Sequence, residues 1–383
     1  MALAPAPVKR RRSPLAGVAL ALAWAAASVA GAAHAAAPAP EAKVLNIYNW
    51  SDYIAPDTIR NFEKETGIQV RYDSFDNNEV VYAKLVAGGT GYDIVVPSSN
   101  WAKLLIDGGL LRKLDKAQIP NLKNLDPAIQ AALAKVDPGN QYLVDWLWGY
   151  TTVGINVAKV KAALGPLPMP ANAWDLVFKP AYMRRLTRCG VSFLDSATEV
   201  LPVALHYLGR PAYSRDPADY AAAGALLKAV RPYVTLFSSA GYINEVADGS
   251  VCVVLGWTGD INIARRRALQ AHTGQDIEAL IPDSGGLLFF DTMAIPADAP
   301  HPQNAQRWID YILRPQVHAA LTNHVFYANP NLASRPYIRP EVASNPSIFL
   351  TPAQLARMVP PDALTNDRRR LMTRTFTSFK SGF

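Results

Sequence analysis

The sequence predicts an α/β protein of two lobes, each built on a mixed, mostly parallel sheet flanked by helices. Three observations predict it. Short apolar runs of strand type alternate with helical patterns from Val44 onward. The alternation resumes between Val191 and Ile295. The chain has 383 residues, half of them hydrophobic, which is more than one ordinary core accommodates. No repeat with a period of about 20–50 residues is visible, which argues against a solenoid or propeller.

The elements follow in order. Val44–Tyr48 reads as a strand, and Pro56–Glu65 as a helix opened by Ala55-Pro56. Ile68–Tyr72 is strand-like. Asp76 and Glu79 have capping-box spacing before a helix over Val80–Val86. A strand over Tyr92–Val96 precedes a helix through Leu104 to Gly108. Val191–Leu194, Val234–Phe237, Val251–Gly256, Ile277–Ile281 and Leu287–Ile295 are strands in the second half. Helices are expected at Glu199–Leu208, around Ile243–Asp248 and through Arg265–Ala271. The last part is helical and loop-rich, with Pro300–Leu313, Gln316–Thr322 and Pro360–Phe379 as helices. The N-terminal lobe is expected over residues 36–147 plus about 268–315, and the C-terminal lobe over about 148–267 plus 316–383.

The first residues stand apart. Lys9 to Arg12 are basic, Leu15 to Ala33 are apolar and rich in alanine, and Ala33-His34-Ala35 offers small residues for cleavage. This is the layout of a secretory signal peptide over residues 1–35, with an uncleaved membrane anchor as the alternative. The formal charge of +7 falls to +3 once its four basic side chains are removed. Cys189 and Cys252 are the only cysteines. An oxidising compartment favours a disulfide between them, and two separate buried thiols are the alternative.

Distinctive residues gather just after the strands, where open α/β sheets bind ligands. Asn49-Trp50-Ser51-Asp52-Tyr53 follows the first strand, Pro97 to Asn100 the third, and Asp195 and Glu199 follow Val191–Leu194. Trp257-Thr258-Gly259-Asp260 follows Val251–Gly256, and Phe289-Phe290-Asp291 lies inside a strand. These clusters hold aromatic rings, carboxylates and hydroxyls, with no basic residue among them. Carboxylates without Lys or Arg partners require a cation, and aromatic faces attract ammonium groups. A small organic cation with more than one amine fits that composition. Taken singly, each residue has a plainer role, such as a core Trp or a helix-capping Asp.

The same residues carry a resemblance. VLNIYNWSDYIAPDTIRNFEKETG at 44–67 resembles the start of the periplasmic polyamine-binding proteins of bacterial ABC importers, with the putrescine-binding branch nearest in pattern. GYDIVVPSS at 91–99, CGVSFLD at 189–195, GWTGD at 256–260, FFDTMAIPADA at 289–299 and HVFYAN at 324–329 extend it over nearly all of the chain after the leader. The resemblance implies a type II periplasmic binding protein fold that closes like a clam shell, joined by crossover strands. It implies acidic ligand contacts at Asp52, Glu199, Asp260 and Asp291, and an aromatic box of Trp50, Tyr53, Trp257, Phe289 and Tyr327. Polar contacts fall on Ser51, Ser98 and Ser239, and the pair Cys189–Cys252 matches a family disulfide. Asn100, Ser196, Ser238, Ala240 and Gly241 depart from the pattern near the pocket. The implied partners are a polyamine and an ABC permease in the inner membrane. The protein is expected to be a periplasmic monomer without cofactor or metal, with no nucleic acid as partner. Feeding a sensor with spermidine or another cationic amine is the alternative.

Enzymatic motifs are missing from the sequence. No H-E-x-x-H, G-x-S-x-G or G-x-x-x-x-G-K-[ST] occurs, and Gly88 to Gly91 lacks the lysine of a phosphate loop. A carboxylate pair leaves an exported hydrolase as a lesser reading. Arg265 to Arg267 and Arg368 to Arg370 fall on expected helices without interleaved aromatics, as on a solvated helix surface.

Overall fold

The structure, a computed structural model, describes residues 41–382, so the expected export signal lies outside the described residues. Strands β1 (Val44–Trp50), β2 (Gln69–Phe75) and β3 (Ile94–Val95) form a wholly parallel sheet in the order β2-β1-β3. The helix Thr58–Thr66 makes the β1–β2 crossover and ends at Gly67, whose φ of +67° suits a left-handed cap. The helix Asn78–Ala87 connects β2 to β3. Its N-cap is Asn77, whose side chain accepts from the Val80 amide, and not Asp76 as expected. Asp76 is left free to serve the site described below.

Strand β4 (Leu111–Arg112) is followed by β5 (Val144–Asn156), thirteen residues long and almost wholly buried. No strand is expected there from the sequence, because burial on both faces removes the alternation that marks half-buried strands. With β6 (Val191–Phe193), β7 (Leu236–Phe237), β8 (Val253–Trp257), β9 (Ile277–Ala279) and β10 (Leu287–Met293) it forms a six-stranded mixed sheet. β6 pairs in parallel with β7 and β8, whereas β5 pairs antiparallel with β8, β9 and β10. The long run expected at 287–295 is interrupted at Ala294. Beyond it β11 (Ile295–Pro296) pairs with β4.

Strand β10 stays paired with β5 through Met293 and also reaches the first sheet at its carboxyl end. A register shift falls between Asp291 and Thr292, and isolated bridges then join Ser98 to Asp291 and Val95 to Ala294. Such a bulge re-aims a strand. One strand therefore ties the first sheet to the second and sets Asp291 where they meet. One continuous core of buried residues runs through both sheets, with Trp101, Trp146, Trp174 and Trp308 its largest members. Cys189 and Cys252 are disulfide-bonded, joining the segments just before β6 and β8. Among the described residues no helix is long and apolar enough to cross a membrane.

Candidate functional site

Each strand end delivers its cluster to one place. A cavity lies where the two sheets meet, lined by Trp50, Ser51, Tyr53, Ser98, Glu199, Ser239, Trp257, Asp260, Phe289, Asp291 and Tyr327. All the expected site residues are there except Asp52. The φ of Asp52 is +56°, and its exposed carboxylate accepts from Arg267 Nη2 at 2.7 Å, outside the cavity. The left-handed turn after β1 points it at the helix Thr258–Gln270 instead of into the cavity, so Asp52 stands in an ion pair with Arg267 where a direct ligand contact was expected.

Three buried carboxyl groups face the cavity with hydroxyls as their partners. Asp291 Oδ1 accepts from the Ser98 hydroxyl at 2.6 Å, and Oδ2 accepts from Tyr53 at 2.9 Å. Ser98 is fixed in turn by Asn78, whose amide donates to its oxygen at 2.9 Å. Asp260 accepts from Tyr327 at 2.6 Å and from Tyr242 at 2.9 Å. Glu199 lies in the first turn of the helix Ala197–Tyr207 and accepts from Thr151 of β5 at 2.6 Å. Among the described residues none of these three carboxyls has a Lys, Arg or His partner within salt-bridge distance.

That isolation governs their protons. Burial pushes Asp291 up to about 7; the charges of Glu199 and Asp260 add to the rise, and the Ser98 and Tyr53 hydrogen bonds oppose it. Burial likewise raises Asp260 to about 7 and Glu199 to about 6. Asp145 on β5 is fully buried, and burial followed by the charge of Asp291 raises it well above the usual range. A buried cation reverses these costs, since it stabilises the ionised forms.

Aromatic rings build the walls. Trp50 and Trp257 meet edge to face at 5.6 Å, Tyr53 and Tyr327 at 4.9 Å, and Phe289 and Tyr327 at 6.1 Å. Trp50 is held by donating its indole N–H to the Val96 carbonyl at 2.9 Å. The pleat of β10 turns Phe289 and Asp291 into the cavity, while Phe290 packs toward Trp148. Such a chamber accepts ammonium groups on carboxylates and methylenes against ring faces.

Sequence reasoning missed several contributors. Phe75, Asp76 and Ile243 also line the cavity, as does Ala240, which the sequence marked only as a departure near the pocket. Asp76 accepts from the Ser51 hydroxyl at 2.9 Å, and Phe75 packs on Trp50 at 4.6 Å. The end of β2 carries them, and a strand-end search there would have found both. Tyr242 and Thr151 support Asp260 and Glu199 through pairings that only the second sheet creates. Among the described residues no group of three or more His, Cys, Asp or Glu is placed to hold a metal ion.

Comparison with known proteins places the chain in a family. The chain is 45% identical over 343 residues to the putrescine-binding periplasmic protein PotF of Escherichia coli (strain K12), covering 89% of this chain and 92% of that one. It is 34% identical over 306 residues to the spermidine/putrescine-binding periplasmic protein of Salmonella typhimurium, covering 80% and 82%. The structure matches the spermidine/putrescine ABC transporter substrate-binding protein PotD from Streptococcus pneumoniae with a TM-score of 0.71 at 25% identity, over 89% of this chain and 99% of that one. The fold is that of a type II periplasmic binding protein. Residues 57–350 match the family model described as bacterial extracellular solute-binding protein, and the chain belongs to that family.

Proposed function

We propose that this protein is a periplasmic receptor that captures a polyamine between its lobes, with putrescine the expected ligand, and delivers it to an ABC permease in the inner membrane. One observation carries the reading. Three buried carboxyls without cationic partners stand inside aromatic walls, an arrangement that is costly alone and favourable around a diammonium ion. The relatives named for putrescine and spermidine support the same ligand class. Trp50, Ser51, Tyr53, Ser98, Glu199, Ser239, Trp257, Asp260, Phe289, Asp291 and Tyr327 are the proposed contacts.

The mechanism follows from where those residues sit. Trp50 ends β1, Tyr53 and Ser98 come from the segments following β1 and β3, and Glu199, Trp257 and Asp260 come from the second sheet and its helices. Only a closed arrangement presents them together, so the ligand shifts the population toward closure. Closed receptor then docks on the membrane complex, and this chain performs no chemistry itself. Lobe boundaries near residues 147, 268 and 315 suit that motion, as does a monomer after removal of residues 1–35.

Calorimetric titration of the mature protein with putrescine, cadaverine, spermidine, spermine and arginine tests the reading. Tightest binding to putrescine is expected; absence of heat with every amine would overturn the assignment.

A further inference from the structure

The arginine run at 265–267 is not a plain solvated helix surface. Arg267 bridges to Asp52, and Arg266 is half-buried against the ring of Phe326 at 5.3 Å, with its guanidinium on the carbonyl of His324. Among the described residues Arg266 has no carboxylate partner, and its Nε is buried without any hydrogen-bond acceptor. A guanidinium so fixed is organised in advance for an anion.

An open groove of about 1220 Å³ runs beside it. One wall is formed by Ala55 to Thr58, which follow β1 of the first sheet. The other is formed by Arg266, His324 and Arg339 of the second lobe, with amide side chains such as Gln316 and Asn323 between them. The carboxylates nearby are already engaged: Asp57 with Arg60 at 2.6 Å, Asp52 with Arg267 at 2.7 Å, and Glu341 with Arg339 at 3.1 Å. The remaining field is positive. Burial and then the crowding of neighbouring arginines lower the proton affinity of both Arg266 and His324.

We propose that this groove is a docking surface for an acidic polypeptide segment of the membrane partner, and that it is complete only when the lobes are closed. The proposal rests on the reading that this chain delivers a ligand to a permease. Charge complementarity selects an acidic occupant, because Arg266 and Arg339 present donors that no resident carboxylate neutralises fully. The amide side chains of Asn61, Gln270, Gln316 and Asn323 in the lining offer donors and acceptors for a peptide backbone, which a single ion would leave unused. Its two walls belong to different lobes, so rotation of one lobe against the other changes its width. The occupant therefore distinguishes closed receptor from open receptor without touching the amine.

The test uses the full mature protein loaded with putrescine. Pentaglutamate and inorganic phosphate are titrated against wild type, Arg266→Glu, Arg339→Glu and Lys228→Glu, the last an exposed control on another helix. Pentaglutamate is expected to bind at least tenfold tighter than phosphate, and at least tenfold tighter to wild type than to Arg266→Glu or Arg339→Glu. Putrescine affinity should stay within about twofold in all of them. In proteoliposomes bearing the cognate permease and ATPase, the Arg339→Glu receptor should stimulate ATP hydrolysis at least tenfold less than wild type. Arg339 is half-exposed, so that variant keeps the test open should Arg266→Glu fail to fold. Equal binding of phosphate and pentaglutamate, or unchanged stimulation by Arg339→Glu, overturns the proposal. A wild type that binds no amine at all would instead sink the functional reading on which the proposal rests.

Discussion

Tyr327 lies directly over Gly259: its hydroxyl donates to Asp260 at 2.6 Å, and a Cβ on Gly259 would come within 2.1 Å of its ring. The glycine thus sets how closely the aromatic wall approaches the acid that follows it in the helix Thr258–Gln270. Gly259→Ala should displace the buried ring and break the hydrogen bond, although alanine favours a helix by roughly 1 kcal/mol. The expected result is amine affinity lowered at least tenfold with Tm lowered by a few degrees, because overpacking and the lost hydrogen bond outweigh the helix gain. Calorimetry beside a thermal melt checks it, and a variant with native affinity would show that the ring is not held there.

Asp291 and Asp52 should respond differently to the same change. Asp291 is buried and faces the cavity, so Asp291→Asn is expected to cost about 3 kcal/mol of amine binding, roughly 150-fold. Asp52 is exposed and bound to Arg267, and such pairs contribute about 0–1 kcal/mol. Asp52→Asn should therefore weaken binding by less than about fivefold. Titration of both variants with putrescine decides the matter; equal losses would return Asp52 to the ligand site.

Affinity should rise with pH. Asp260 and Asp291 stand at about 7 and Glu199 at about 6, and a cationic ligand favours their ionised forms. Between about pH 8 and pH 5 the affinity should fall on the order of 100-fold, with protons released on binding near pH 6.5. Titration in two buffers of different ionisation enthalpy measures that release. Stability without ligand runs the other way. These acids bind protons more tightly in the folded chain than in the unfolded one, so their stabilising contribution is complete below about pH 4 and is lost as pH rises through 6 to 7.

Removing the disulfide should destabilise without altering ligand choice. Cys189 and Cys252 lie 63 residues apart, a loop worth about 4 kcal/mol in the chain-entropy model. Replacing both by serine should lower Tm by several degrees while leaving the ranking of amines intact. A thermal melt and a repeat titration check both parts. A changed ranking would mean that the bridge shapes the cavity.

The sequence by itself determined the α/β class, most element positions and the acidic and aromatic composition of the site. Strand periodicity and turn chemistry are local, and ligand sites in such sheets lie at strand ends, so the cavity positions of Trp50, Ser98, Glu199 and Asp260 were legible there, while Asp291, inside a strand, was marked by its aromatic neighbours. Only the tertiary structure decided direction. The left-handed turn at Asp52 sends its carboxylate to Arg267, the cap at Asn77 releases Asp76 to Ser51, and the bulge after Asp291 brings that acid beneath Ser98. Strand β5 stayed hidden because a doubly buried strand loses its alternation, and with it went Thr151, which supports Glu199, and the buried acid Asp145. A backbone turn of one residue settles whether a carboxylate faces a ligand or an arginine, and that choice depends on neighbours distant in the chain.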